Sequence, residues 1–64
     1  MDEGSITVQA LRKMPEGHPL YFVQTRDMDD KPIRAVVWIW TDKREGVRKA
    51  YFNPVNGDYL GEAA

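Results

Sequence analysis

Cysteine is absent from this sequence of 64 residues, and histidine and serine occur once each, as His18 and Ser5. Catalysis by a cysteine nucleophile is therefore excluded for these residues, and a Ser-His-Asp triad could be formed only by Ser5 and His18. One histidine cannot form a metal site alone, and no glycine-rich phosphate-binding motif occurs. Gly17 and Pro19 flank His18, which favours an exposed turn residue over a ligand. We expect a protein that is not an enzyme, without catalytic, cofactor-binding or metal-binding residues.

A charge excess and a long apolar run are missing as well. Nine Lys and Arg residues against ten Asp and Glu residues give a net charge of −1, so no overall field attracts nucleic acid or anionic lipid. The longest dense apolar stretch, Ala35 to Trp40, is far shorter than the roughly 20 residues of a membrane span. The first residues also lack the basic and apolar regions of a secretory signal. Neither a membrane span nor an export signal is therefore expected within these residues.

One short helix is predicted near the start of the chain. Ser5 is a suitable N-cap, and apolar residues recur at every third position in Val8, Leu11 and Met14, with Thr7 and Ala10 completing a stripe on one side of the helix. The prolines and glycine within Pro15 to Pro19 end this helix. Residues 1–4 are expected to be a disordered N-terminus or a remnant of cloning.

A meander of strands is predicted after the helix. The strands cover residues 20–25, 33–41 and 47–53, with a short fourth strand at 58–60. Turn residues at 27–32, 42–46 and 54–57 separate them. This order predicts the fold class α+β, with one N-terminal helix packed on a three- to four-stranded antiparallel sheet. A single domain is expected over residues 5–61, followed by a tail at 62–64.

The strand over residues 33–41 has two different faces. Its alternate positions are Ile33, Ala35, Val37 and Ile39 on one side and Arg34, Val36, Trp38 and Trp40 on the other. The aliphatic side suits the underside of a helix, and a single helix covers only one face of a sheet. We therefore expect the aromatic side to be an open interaction face formed by Val36, Trp38, Trp40 and Tyr51. Aromatic residues of this kind anchor protein interfaces.

The occupant of this face is left open by the sequence. A small domain without disulfides is marginally stable, so contact with a protein surface would help it. That surface could be another part of the parent chain, a partner protein or a second copy. The competing interpretation is that loops and basic side chains fold over the rings and make them part of the core.

A second hypothesis is a free-standing small β adaptor or a module that binds single-stranded nucleic acid. Four basic residues follow the tryptophans closely in sequence: Lys43, Arg44, Arg48 and Lys49. Aromatic rings on strands beside basic loops stack bases in small β modules. Asp42 and Glu45 interrupt the cluster, so nucleic acid is not the expected partner.

The end of the chain carries a family resemblance. Residues 49–61 read Lys-Ala-Tyr-Phe-Asn-Pro-Val-Asn-Gly-Asp-Tyr-Leu-Gly. This run resembles the end of PepSY domains, in which an apolar pair precedes Asp-Pro, any residue, Thr-Gly, an acidic residue, two apolar residues and Gly. The structural turn motif here comprises Asn53, Pro54, Asn56, Gly57 and Gly61, with asparagines in place of the usual Asp and Thr. The preceding helix and strands extend the resemblance over about residues 5–61.

The resemblance implies a role and a location. PepSY domains occur in propeptides of thermolysin-like metalloproteases and in bacterial membrane proteins associated with siderophore uptake and ferric-siderophore reduction. In both settings they are extracytoplasmic, and their proposed roles are peptidase regulation and docking. The chain would then be a periplasmic or cell-surface interaction domain, cut from a membrane protein linked to iron uptake. The family implies no catalytic residue and no cofactor for this domain, and membrane contact only through the parent chain.

Overall fold

Residues 6–64 are described by a computed structural model, and they form a four-stranded antiparallel sheet with one short helix on one side. The elements are α1 (Val8–Lys13), β1 (Gly17–Arg26), β2 (Pro32–Asp42), β3 (Gly46–Phe52) and β4 (Tyr59–Glu62). The strands lie in the sheet in chain order. Strand accounts for 54% of the described residues and helix for 10%, so the predicted class α+β is wrong and the domain is mostly β.

The helix is short because both of its ends are fixed by local chemistry. Thr7 is the N-cap, and its side-chain oxygen accepts a hydrogen bond from Ala10 N at 3.0 Å. Pro15 disfavours helical geometry at the residue before it, and Met14 has φ −90° and ψ 152°, which is extended. Only six residues remain between these limits. The predicted cap, Ser5, lies outside the described residues.

The buried side of α1 differs from the predicted apolar stripe. Val8 and Leu11 are 65% and 47% exposed, whereas Ala10 and Met14 are buried. Ile6 packs against the same cluster, so the buried positions are four residues apart instead of three. The prediction failed here because a six-residue helix offers too few turns for its spacing to identify one face.

The helix covers the aromatic side of the sheet, and the predicted assignment of the two faces is wrong. We call this side the covered face; its buried strand residues are Val36, Trp38, Ala50 and Phe52. Phe22 and Trp40 pack against this cluster. Large rings remove more apolar area from water than Ala35 and Val37 on the other side can. The indole Nε1 of Trp38 also donates a hydrogen bond to the Pro15 carbonyl at 2.8 Å, so its one polar atom is satisfied.

A turn between β3 and β4 holds the helix against the covered face. Asn53 Oδ1 accepts hydrogen bonds from Val55 N at 2.9 Å and Asn56 N at 3.4 Å, and the Gly57 N–H donates to the Asn53 carbonyl. Gly57 has φ +81° and packs directly on the helix backbone at Ala10.

Two further contacts tie this turn to the start of the helix. Thr7 N donates to the Pro54 carbonyl at 3.0 Å, and the Thr7 hydroxyl donates to the Val55 carbonyl. Lys13 at the other end of the helix forms an ion pair of 3.0 Å with Asp58. Gly61 belongs to β4 instead of the turn, beside an irregularity in the pairing of β3 with β4. The hydrogen bonds and the ion pair of the turn between β3 and β4 therefore connect the N-terminal helix to the C-terminal part of the sheet.

The last strand also extends into the predicted tail. Glu62 lies in β4, and Ala63 N donates to the Lys49 carbonyl at 2.9 Å. The sheet therefore continues past residue 61, where the domain was expected to end.

Candidate interaction face

The side of the sheet turned away from α1 is the candidate site, and we call it the open face. Residues directly opposite each other in an antiparallel pair share a face, so the strand register assigns its members. They are His18, Tyr21, Val23 and Thr25 of β1, Ile33, Ala35, Val37, Ile39 and Thr41 of β2, Val47, Lys49 and Tyr51 of β3, and Gly61 of β4. Within residues 6–64, no helix and no second sheet lies over this face.

The open face carries almost no charge. Lys49 is the single charged residue on this face, although Asp, Glu, Lys and Arg together make up 30% of the whole chain. The charged residues of the strands lie on the covered side, as Arg34, Arg48 and Glu62 do by their pairing with Gln24, Trp40 and Ala50. Solvent-facing sides of antiparallel sheets are normally polar, and depletion of charge is the compositional mark of the centre of an interface.

The centre of the open face is buried by its own neighbours. Val37 and Ala35 on the central strand are both 0% exposed. Tyr21 and Tyr51 lie directly opposite Val37 on the two flanking strands, and Val23 lies opposite Ala35. Because these side chains shield β2, the surface that remains accessible is contributed mainly by the flanking strands. Tyr21 is 55% exposed and is the largest side chain available there.

A recess of about 550 Å³ opens at one end of this face. Its lining includes His18, Ile39, Thr41 and Val47 from the open face, and it extends around the end of β1 to Trp40. Ligand and anchor pockets of such size are lined by apolar residues with a few polar groups. Because the lining also includes Glu16 together with His18 and Thr41, the recess suits a partner side chain that has both apolar and polar groups.

The predicted interaction residues do not form one surface. Val36 and Trp38 are buried beneath the helix, at 0% and 4% exposure, so the prediction for them is wrong. Trp40 is partly buried, because its ring makes an edge contact with Phe52 at 5.9 Å and Arg48 lies 5.3 Å over it. Tyr51 alone of the four lies on the open face.

Sequence reasoning missed Tyr21, Val23 and Ile39 as surface candidates, and it placed Val37 beneath the helix instead of at the buried centre of the open face. The available signal was the absence of charge at alternate positions of β2, whereas we weighed the size of the side chains. Size favoured the tryptophans, but large rings also contribute most to a core, so size does not distinguish an interface from an interior. The position of charged residues along β2 separates the two faces of the sheet better than side-chain size does, because Arg34 lies on the covered side and the open side has no charge.

The basic cluster of the nucleic-acid hypothesis is also divided by the sheet. Arg48 and Lys49 are adjacent in β3 and therefore point to opposite faces. The Arg48 guanidinium donates to Glu62 Oε1 at 2.7 Å and lies 3.9 Å from Glu45 Oε1, so its charge is compensated. Trp38 is buried and cannot stack on a base. The structure does not bring together the groups on which that hypothesis depends.

The carboxylate of Glu62 gives a pH-dependent prediction. Hydrogen bonds from Arg48 and then from the Tyr59 hydroxyl hold the Glu62 pKa below its ordinary value of 4.5. The stabilisation is therefore complete above that value and is lost as the pH falls through the lowered pKa. We expect Glu62→Gln to lower the melting temperature at pH 7 and to have a smaller effect as the pH falls further below 4.5. Thermal unfolding followed by circular dichroism over this pH range measures this, and an effect that does not change with pH would contradict it.

The described residues contain no group of three or more His, Asp or Glu side chains positioned to hold a metal ion. In that same part of the chain no helix has the length and apolar character needed to cross a membrane. No protein family model matches the sequence, and no curated protein and no solved structure shows significant similarity to it.

Proposed function

We propose that this chain is a non-catalytic interaction module that binds another protein through the open face of its sheet. The observation that carries the proposal is the composition of this face, which is mostly apolar and aromatic, with His18, Thr25 and Thr41 as uncharged polar residues and Lys49 as the single formal charge. A sheet face of this kind gains free energy when a second surface removes it from water. The recess beside Ile39 offers a place for one anchoring side chain of the partner.

We further propose that the module is of the PepSY type, on the extracytoplasmic side of a bacterial membrane protein linked to iron-siderophore uptake or reduction. The support is the run over residues 49–61 and its Asn-Pro-Val-Asn-Gly turn. In such a setting the open face would dock on another part of the parent chain or on a protein that it regulates. A peptidase would be the corresponding partner for a PepSY domain of the propeptide type.

The test of the open face uses two substitutions of equal chemistry on opposite sides of the domain. Tyr21→Glu places a charge on the open face, and Leu11→Glu places one on the outer surface of α1; the two native side chains are 55% and 47% exposed. Peptides selected on the wild-type chain from a displayed library of random 12-residue sequences serve as the probe. We expect Tyr21→Glu to weaken their binding by about tenfold or more and Leu11→Glu to leave it unchanged.

Both variants should lose a similar, small part of the wild-type stability, because each native side chain is about half exposed to water. Peptides that bind both variants as tightly as the wild type, or that lose affinity only for Leu11→Glu, would refute the open face as the binding surface. A titration of the labelled chain with single-stranded oligothymidylate, followed by amide chemical shifts, tests the nucleic-acid alternative. We expect no shifts at low salt.

A further inference from the structure

We infer that the partner of the open face presents a carboxylate to Lys49 within an otherwise apolar contact, and that this partner is not a second copy of the chain. The inference rests on the proposed function and specifies the chemistry of the partner. Its starting point is the position of Lys49, the one formal charge on the face.

Lys49 lies inside the sheet instead of at its edge. It is paired with Ile39 on β2, and its carbonyl accepts a hydrogen bond from Ala63 N on the β4 side. Its neighbours along the same face are Val47 and Tyr51, which carry no charge. The side chain is partly buried among them, and the ammonium has no ion pair and no hydrogen bond to any residue from 6 to 64.

Three other basic side chains of the domain have a carboxylate nearby. Lys13 and Arg48 form ion pairs of 3.0 and 2.7 Å with Asp58 and Glu62. Arg26 approaches Asp30 at 3.8 Å. Lys49 has no such ion pair and, unlike these three, lies on an apolar surface, so a carboxylate that compensates its charge in a protein contact would come from the partner.

Covering the open face takes the Lys49 ammonium out of water. An uncompensated charge in such a contact carries a large desolvation cost, whereas a carboxylate at hydrogen-bond distance offsets much of that cost. A neutral apolar surface would therefore bind this face weakly. A surface with one Asp or Glu among apolar residues would bind it more tightly, and a basic surface would be repelled.

The same charge argues against a second copy. None of the open-face residues has a carboxylate, and a symmetric contact brings the same patch of both copies together. Two facing sheets would bury two lysines without an acidic partner between them. Lys49 thus opposes self-association of a face whose apolar character would otherwise favour it.

The experiment uses three versions of the folded chain as baits for the library of random 12-residue peptides. These are the wild type, Lys49→Met, which keeps the length and removes the charge, and Lys49→Glu, which reverses it. We expect an acidic residue among apolar ones in the peptides selected on the wild type, and a basic residue in those selected on Lys49→Glu. Wild-type binders should lose about tenfold or more in affinity for Lys49→Glu.

Peptides that bind all three baits within about twofold would overturn the inference. If those peptides still lose affinity for Tyr21→Glu, the open face is the binding surface and only the requirement for a carboxylate fails. If Tyr21→Glu also binds them normally, the proposed function itself fails. Sedimentation gives the second readout: the wild type should be monomeric and Lys49→Met should self-associate, whereas a wild-type dimer that Tyr21→Glu disrupts would refute the exclusion of a second copy.

Discussion

Replacing Trp38 with alanine is expected to unfold the domain at moderate temperature. The side chain is 4% exposed and packs between α1 and the sheet, and its indole N–H satisfies the Pro15 carbonyl. Truncating a buried tryptophan costs about 3 to 5 kcal/mol through lost apolar burial and the cavity that remains. A domain of 64 residues has little more stability than that in total, so the loss approaches the whole free energy of folding.

Thermal and urea unfolding followed by far-ultraviolet circular dichroism measure this effect. Tyr21→Ala is the matched control, because it truncates an aromatic side chain on the opposite face of the sheet that is 55% exposed. We expect the control to shift the midpoint only slightly. A Trp38→Ala protein that melts like the control would contradict the burial of Trp38 and would restore it to the surface.

Replacing Gly57 with alanine is expected to destabilise the domain by about 3 kcal/mol, from two separable causes. The first cause is the positive φ of +81°, which an L side chain adopts at a cost of roughly 1 to 2 kcal/mol. The second cause is a steric clash with the helix, since an added Cβ would lie 2.9 Å from the Ala10 carbonyl oxygen and 2.9 Å from Lys13 Cβ. The helix would have to lift from the turn to relieve it.

Gly46 separates the two causes. Its φ is +78°, almost the same as that of Gly57, but no heavy atom lies within 4 Å of its Cβ position. Gly46→Ala should therefore cost only the conformational part, roughly 1 to 2 kcal/mol. Comparing the free energies of unfolding of the two variants measures the contact between the turn and α1. Equal costs would mean that the turn does not support the helix.

The strands could be predicted from the sequence because their signals are local. Asp42 and Gly46 mark the second hairpin: Asp42 Oδ1 accepts hydrogen bonds from Arg44 N and Glu45 N, and Gly46 takes a positive φ. Between such turns the apolar residues of β2 favour an extended strand, and the observed Pro32–Asp42 lies within one residue of the predicted 33–41 at each end. Turn chemistry and strand propensity involve residues close together in the chain, which one sequence displays.

The assignment of the faces could not be predicted because it depends on distant contacts. Alternation in β2 divides its residues into two sets but does not show which set meets the helix. That choice is decided by contacts such as the one between Trp38 and Pro15, which are 23 residues apart. The fold class failed for a different and local reason, because the cap at Thr7 and the proline at position 15 limit α1 to six residues, too few for the helix to form a layer of its own. The candidate site changed with the faces, and only Tyr51 was retained.

The link between Thr7 and the turn after β3 has a consequence for the order of events on the ribosome. Thr7 and Val55 are 48 positions apart, and the helix that Thr7 caps is far shorter than the roughly 12 to 15 residues that persist alone in water. The hairpins of the meander need only neighbouring residues and can form as soon as they emerge. The helix precedes the strands in the chain but is therefore the last of these elements to acquire its native shape, after Val55 has emerged.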